Sequence, residues 1–197
     1  MAEAKRKEMT HEELLLWCLD QEERFELVDG FPVPLRAMAG ASDPHDSIVV
    51  NLIALLKTAL KGTGCRPKTA DTALRTAIKR TRRPDVTVDC TEVARASYEA
   101  RNPIAVLEIL SPTARKIDRN VKLEEYKRHP SLRTIVHIDP DIMDVLVYRR
   151  SPNGEWETER LEAPDAMLRL DGTPAALALS DIYDGLPLQV MDSVPEE

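Results

Sequence analysis

From Pro103 to Leu110 the chain is apolar at odd and even positions alike, and Glu108 is the one exception. A strand with one wet face alternates, whereas a strand apolar on both parities needs cover on both sides. The run therefore predicts a central strand over Ile104–Leu110, with helices on the two faces of its sheet. Two helical patterns can supply that cover. In the first, Ile48, Val49, Leu52, Ile53, Leu55, Leu56, Ala59 and Leu60 recur at helical spacing, Asp43 and Pro44 suit the cap and first position, and Gly62 ends the pattern. In the second, from Asp118 to His129, Ile117, Val121, Leu123 and Tyr126 form the apolar side and Pro130 stops the helix.

The remaining elements are shorter. Thr10 and Glu13 have the spacing of a capping box before Leu14, Leu15, Trp17 and Cys18, which predicts a helix from Thr10 to Leu19. Arg24–Val28 alternates and is followed by Asp29-Gly30, a hairpin turn signal. Pro32 and Pro34 in the returning strand confine it to an edge or an irregular position. Short strands are predicted around Cys65–Lys68, Thr72–Ile78, Val86–Asp89, Thr134–Asp139, Asp144–Arg149 and Glu155–Leu161, with a further strand at Ala175–Leu179 and a helical turn near Asp181–Tyr183. The order is helix, hairpin, helix, strands, helix, strands. That is a mixed α/β (α+β) layer architecture, a central sheet flanked by helices.

With 197 residues and 43% hydrophobic content the chain supports one sizeable core. The expected organisation is a single domain over 10–187 with tails at 1–9 and 188–197. No stretch approaches the twenty or so apolar residues of a membrane span, and none near the start has the character of a signal peptide, so a cytoplasmic protein is expected. Cys18, Cys65 and Cys90 are odd in number and lack the spacing of a zinc site, which predicts buried or idle thiols in a reducing compartment. A formal net charge of −7 argues against coating nucleic acid by bulk charge alone, though not against a nuclease with a local basic groove, and 4% aromatic residues argue against a stacking platform for single strands.

Candidate chemistry gathers around two acids. Asp85 follows Pro84 at the entry to the Val86–Asp89 strand, and Glu108 lies near the end of the central strand. A carboxylate in such an apolar run is costly unless a positive partner meets it. That partner is a divalent metal, an arginine or Lys122. Asp118, Lys122 and Tyr126 share one helix face, where an ordinary i,i+4 ion pair is the alternative to a lysine that reaches Glu108. Two carboxylates are hard oxygen donors and suit Mg²⁺, with Mn²⁺ as a substitute, and they imply metal-assisted hydrolysis of a phosphodiester. Basic residues flank both acids: Arg75, Lys79, Arg80, Arg82 and Arg83 before Asp85, and Arg115, Lys116 and Arg119 after Glu108. They form either a phosphate-contacting surface or a solvated face.

With these residues in place the chain resembles the Uma-type putative restriction endonuclease family of the PD-(D/E)xK nuclease superfamily. The resemblance rests on Phe25–Gly30, His45, Arg83-Pro84-Asp85-Val86, Val106–Ser111, the Asp118, Lys122 and Tyr126 series, Ile138-Asp139-Pro140 and Val145–Tyr148, and it runs from about residue 10 to residue 185. It implies a restriction-endonuclease-like core and an Mg²⁺-dependent endonuclease acting on nucleic acid, duplex DNA in the first instance, as a homodimer. It implies Asp85 and Glu108 as metal ligands and Lys122 as the catalytic lysine. In the superfamily pattern the lysine stands two residues after the second acid. That position is Leu110 here, and the family supplies the lysine from the following helix instead. Glu26 resembles an additional acid from an N-terminal element, with a surface strand Glu as the alternative, and His45 is a further candidate for the site. Asp118 is read as orienting Lys122. Arg83, Ser111, Arg115, Lys116 and Tyr126 are the candidates for substrate contact, although Ser111 also suits a cap after the strand. A reading from another class is a catalytically silent nuclease-fold binding module, which would keep the fold and cleave nothing.

Overall fold

The structure, a computed structural model, describes residues 8–35, 42–110 and 116–188, with the backbone path alone at 116–118. Helix α1 (His11–Trp17) opens on the expected capping box, in which the Glu13 N–H donates to Thr10 Oγ1 at 3.2 Å and the Thr10 N–H to Glu13 Oε2 at 2.9 Å. A 3₁₀ turn, Cys18–Asp20, extends it. Strands β1 (Phe25–Val28) and β2 (Phe31–Pro34) form the hairpin, and Asp29 and Gly30 both take positive φ, 51° and 87°. Two consecutive left-handed residues match the twist of the flanking strands. The structure places β2 at a sheet edge, where its prolines leave no ladder bond unmade.

Helix α2 (Asp43–Ala59) begins one residue earlier than the sequence pattern suggests: Ser42 takes the cap position, with Asp43 and Pro44 in the first turn. Strands β3 (Arg66–Thr69), β4 (Leu74–Ala77), β5 (Arg80–Arg82), β6 (Val86–Asp89) and β7 (Pro103–Ile109) follow. Helix α3 (Lys116–Arg128) then carries the chain back to β8 (Thr134–Ile138), which runs parallel to β7. A parallel pair needs such a crossover. Strands β9 (Val145–Arg150), β10 (Trp156–Leu161), β11 (Met167–Arg169) and β12 (Ala176–Ala178) and helix α4 (Leu179–Ile182) complete the described chain. Strands β5 and β11 have no counterpart in the sequence reading.

The main sheet has the order β10-β9-β8-β7-β6-β3, so β7 and β8 lie at its centre. A smaller sheet has the order β2-β1-β5-β4, and β11 pairs with β12 alone. Residues of β7 feed both cores, as its double-sided apolar run requires. Leu107 and Ile109 pack with Ile48, Leu52 and Leu56 of α2, whereas Val106 packs with Leu123 and Tyr126 of α3 and with Leu74 of the small sheet. Helix α3 is thus held between the two sheets. Among the described residues, no helix is long and apolar enough to cross a membrane.

One cysteine expectation is corrected. Cys65 and Cys90 are joined in a disulfide, and Cys18 alone is free. The reason lies in register. Arg66 is opposite Asp89 across the β3–β6 ladder, so the next residues outward, Cys65 and Cys90, face each other although they are 25 apart in sequence.

Candidate active site

Strand register brings the two acids together. Val86 lies opposite Leu107 in the antiparallel β6–β7 ladder, so Asp85 stands one step further, beside Glu108. The Ile109 N–H donates to Asp85 Oδ2 at 2.8 Å, which ties that carboxylate to the end of β7. On the other side of β7, Glu108 is in register with His137 of β8.

Glu108 sits on the α3 face. The buried Tyr126 hydroxyl donates to its Oε1 at 2.5 Å. Burial pushes the Glu108 carboxyl up to about 7, the Lys122 ammonium opposes that rise, and the Asp85 and Glu26 carboxylates add to it. Burial, followed by the charge of Glu108, raises the Tyr126 hydroxyl well above its ordinary range and keeps it a donor.

The structure also brings His45 and Glu26 to the group. His45, in the first turn of α2, places Nε2 3.5 Å from Asp85 Oδ2. The Asp85 carboxylate raises the imidazole's pKa through that contact, against burial, and Glu108 contributes a smaller pull. Glu26 of β1 is 6% exposed, not a surface residue. Its Oε1 accepts from Lys122 Nζ at 3.0 Å, and its Oε2 from Arg82 Nη1 at 2.9 Å. Three carboxylates and one ammonium from four elements therefore share one locality: Asp85 at the start of β6, Glu108 on β7, Glu26 on β1 and Lys122 on α3.

The basic run before Asp85 takes a different part from the phosphate-contacting surface entertained for it. Arg75 pairs with Glu12, Lys79 with Glu8, and Arg80 with Asp29 and Glu125. Arg82 is 2% exposed and bound to Glu26 and Glu125. Arg83, a candidate for substrate contact, is buried, and its guanidinium donates to the backbone carbonyls of Phe25, Ala70 and Asp71. Through these bonds Arg83 braces the β1 backbone against the loop at Ala70 and Asp71. Tyr126, likewise a candidate for substrate contact, is fully buried and directed at Glu108. Ser111 and Arg115 lie outside the described residues, as do the side chains of Lys116 and Asp118.

Several participants escape sequence reasoning. Glu125, 4% exposed, holds Arg82 through two bonds and accepts from Thr76 and Arg80. Its place three residues after Lys122 is the one signal available, since residues at that spacing share a helix face. His137 is buried beside Glu108, and burial pushes its imidazole down to about 4, helped by the charges of Arg119 and Lys127. Nothing in the apolar run Thr134–Ile138 marks it out.

Among the described residues, no group of three or more His, Cys, Asp or Glu side chains is arranged as a metal cage. The donor set at Asp85 and Glu108 nevertheless fits a hard divalent cation, because Mg²⁺ keeps several waters and takes only one or two carboxylates from the protein. A buried Glu whose charge is opposed by burial and by two neighbouring carboxylates is also a group whose ionised form such a cation would favour.

The family model described as "Uma2: Putative restriction endonuclease" matches residues 11–181. An uncharacterized protein of Synechocystis sp. is 31% identical over 182 residues, covering 90% of this chain and 93% of the relative. The crystal structure of a putative nuclease belonging to DUF820 from Anabaena variabilis superposes with a TM-score of 0.67 at 22% identity, covering 89% of this chain and 97% of that one. That likeness bears on the fold.

Proposed function

The chain belongs to the Uma2 family of putative restriction endonucleases, and we propose that it is an Mg²⁺-dependent endonuclease that hydrolyses phosphodiester bonds of duplex DNA. The observation that carries the proposal is the pairing of Asp85 with Glu108 one step beyond the β6–β7 ladder, with the Lys122 charge acting on Glu108. In this reading Asp85 and Glu108 hold the cation. When bound, Mg²⁺ or Mn²⁺ supplies charge neutralisation at the phosphate and a more acidic water. The protein's own groups do the placing. The Ile109 N–H fixes Asp85, and the Tyr126 hydroxyl fixes Glu108. The Lys122 ammonium donates toward the attacking water or a phosphate oxygen while Glu26 anchors it. His45 stays protonated to a higher pH beside Asp85 and offers a second cationic donor at the rim. Hydrolysis then joins the water oxygen to phosphorus as the bond to the leaving oxygen breaks. A homodimer would present one such site to each strand.

Plasmid cleavage in Mg²⁺ or Mn²⁺ tests the reading, together with calorimetric Mg²⁺ titration. Wild type should bind and cleave, Asp85→Asn should do neither, and Lys122→Ala should bind the cation and cleave at least 10²-fold more slowly, the order of loss when a positioned group at the reacting centre is removed. Cleavage by Lys122→Ala at the wild-type rate would overturn the role given to the lysine.

One observation favours a second reading. Each basic residue named before Asp85 is already engaged by a carboxylate or carbonyl of the same chain. Cations already paired in this way offer less to a DNA backbone, which suits a catalytically silent binding module of the same fold. Such a module would bind a partner and leave plasmid intact with every divalent metal.

A further inference from the structure

Lys122, Glu26, Arg82 and Glu125 form a closed ring. Lys122 Nζ donates to Glu26 Oε1 at 3.0 Å, and Arg82 Nη1 donates to Glu26 Oε2 at 2.9 Å. Arg82 Nε and Nη2 take the two oxygens of Glu125 at 2.8 and 2.7 Å. Glu125 and Lys122 lie one turn apart on α3, so the helix backbone completes the circuit. Arg82, Glu125 and Glu26 are 2%, 4% and 6% exposed. Thr76 Oγ1 and Arg80 Nη1 add donors to Glu125 at 2.9 Å each, so that carboxylate is saturated.

We propose that Arg82 and Glu125 are positioning residues for Lys122, and that the small sheet serves as the jig that sets where the ammonium stands relative to Glu108. Its kinetic consequence rests on the nuclease reading above; its structural content does not. A lysine is a point charge on a flexible stem, and the Lys122 charge also acts on the Glu108 carboxylate. Glu26 draws the ammonium to the β1 side and leaves Glu108 for its own task. Glu26 is itself fixed by two further donors, the Arg83 backbone N–H at Oε1, 3.2 Å, and Arg82 Nη1 at Oε2. Arg82 in turn is aimed by Glu125, whose two oxygens fit the planar guanidinium as a lysine in its place would not. Buried ion pairs of this kind add little net stability compared with apolar packing, so geometric specificity is the benefit that explains four of them here. The ring also accounts for β5, whose Arg-Thr-Arg sequence is a poor strand but delivers Arg82 to both carboxylates.

The test uses the full chain with Glu125→Gln and Arg82→Lys, each checked for folding by circular dichroism, and two readouts. The first is the ¹⁵N-detected lysine ammonium spectrum, in which the Lys122 signal is assigned by its loss in Lys122→Arg. The second is steady-state plasmid cleavage in Mg²⁺. The Lys122 signal should be sharp in wild type and should shift and broaden in both variants, while kcat falls 10- to 100-fold with KM and Mg²⁺ affinity unchanged, the scale expected when a reacting group is displaced by about 1 Å. A purely structural ring would lower thermal stability and leave the ammonium signal and kcat of the folded variants as in wild type, which would overturn the proposal. If Arg82→Lys does not fold, Glu125→Gln, which keeps shape and an acceptor oxygen, decides alone. If wild type does not cleave, the nuclease reading fails while the ammonium signal still decides the ring.

Discussion

Tyr126 holds Glu108 from the facing helix: its hydroxyl donates to Glu108 Oε1 at 2.5 Å while burial and two neighbouring carboxylates push the Glu108 pKa up to about 7. The folded protein therefore keeps a carboxyl in a place that opposes its charge. A carboxyl whose folded pKa lies above its ordinary value of 4.5 binds more protons in the folded state between those values, so stability falls as pH rises from 4.5 to about 7 and stays low above it.

Glu108→Gln should therefore stabilise the protein where function would weaken. Glutamine keeps an acceptor for Tyr126 and carries no charge. In the presence of a chelator its Tm should exceed that of wild type at pH 8 and match it only near pH 4, where Glu108 is protonated in the folded and the unfolded chain alike. Thermal scans at the two pH values check this, and an equal Tm at pH 8 would remove the claim that Glu108 is held against its charge.

Two substitutions at Asp85 separate its charge from its hydrogen bond. Asp85 Oδ2 accepts the Ile109 N–H, and the same carboxylate raises the His45 pKa. Asp85→Asn retains an acceptor for Ile109 and should fold with near wild-type stability. Asp85→Ala leaves that N–H unpaired at the end of the central strand and should cost about 1–3 kcal/mol in urea denaturation. Both should lower the His45 pKa, read by proton NMR titration of its ring. Equal stability of the two variants would show that the bond to Ile109 carries no weight.

The elements legible from sequence are those with a local cause. Thr10 and Glu13 cap α1, Asp29-Gly30 turns the first hairpin, and the double-sided apolar run of β7 required the helices on both of its faces. Asp85 and Glu108 stand out because a proline precedes one and an apolar run surrounds the other. What escaped depends on partners distant in sequence. Arg82 reads as one more surface cation beside Arg80 and Arg83 until Glu26 and Glu125 close around it. Glu125 carries no local signal beyond its spacing from Lys122. β5 has no apolar alternation because pairing and buried charge, not a hydrophobic face, hold it in place. The Cys65–Cys90 bond follows from a ladder register that no cysteine spacing announces.

The disulfide gives a third prediction. It closes a loop with a sequence separation of 25 and ties edge strand β3 to β6, the strand that begins just after Asp85. Loop-closure entropy alone assigns such a link about 3 kcal/mol. Thiol titration of the unfolded oxidised protein should detect only Cys18, and reduction should raise the count to all three cysteines. Denaturant unfolding with and without reductant measures the stability difference, and identical midpoints would mean that the link adds nothing.

Burial of His137 couples the fold to acid. Its imidazole is buried in register with Glu108, packs edge-on against Tyr148 at 5.4 Å, and is pushed down from 6.5 to about 4, first by burial and then by the charges of Arg119 and Lys127. A histidine with a depressed folded pKa is neutral in the fold and protonated in the unfolded chain between those two values. Its contribution is complete above about pH 6.5 and is lost as pH falls toward 4. Glu108 has the opposite sign, with its own loss confined to the rise from 4.5 to about 7, so between pH 4.5 and 6.5 the two contributions offset each other. His137→Phe keeps the ring against Tyr148 and removes the titrating group. Its acid unfolding midpoint should move to lower pH than that of wild type, and in the Glu108→Gln background, where the compensating carboxyl is gone, the chain with His137 should lose stability steadily as pH falls from 6.5 toward 4 while the chain with Phe should not. Circular dichroism along a pH series reads both, and coincident curves for His137 and Phe in that background would show that the buried imidazole does not govern acid stability.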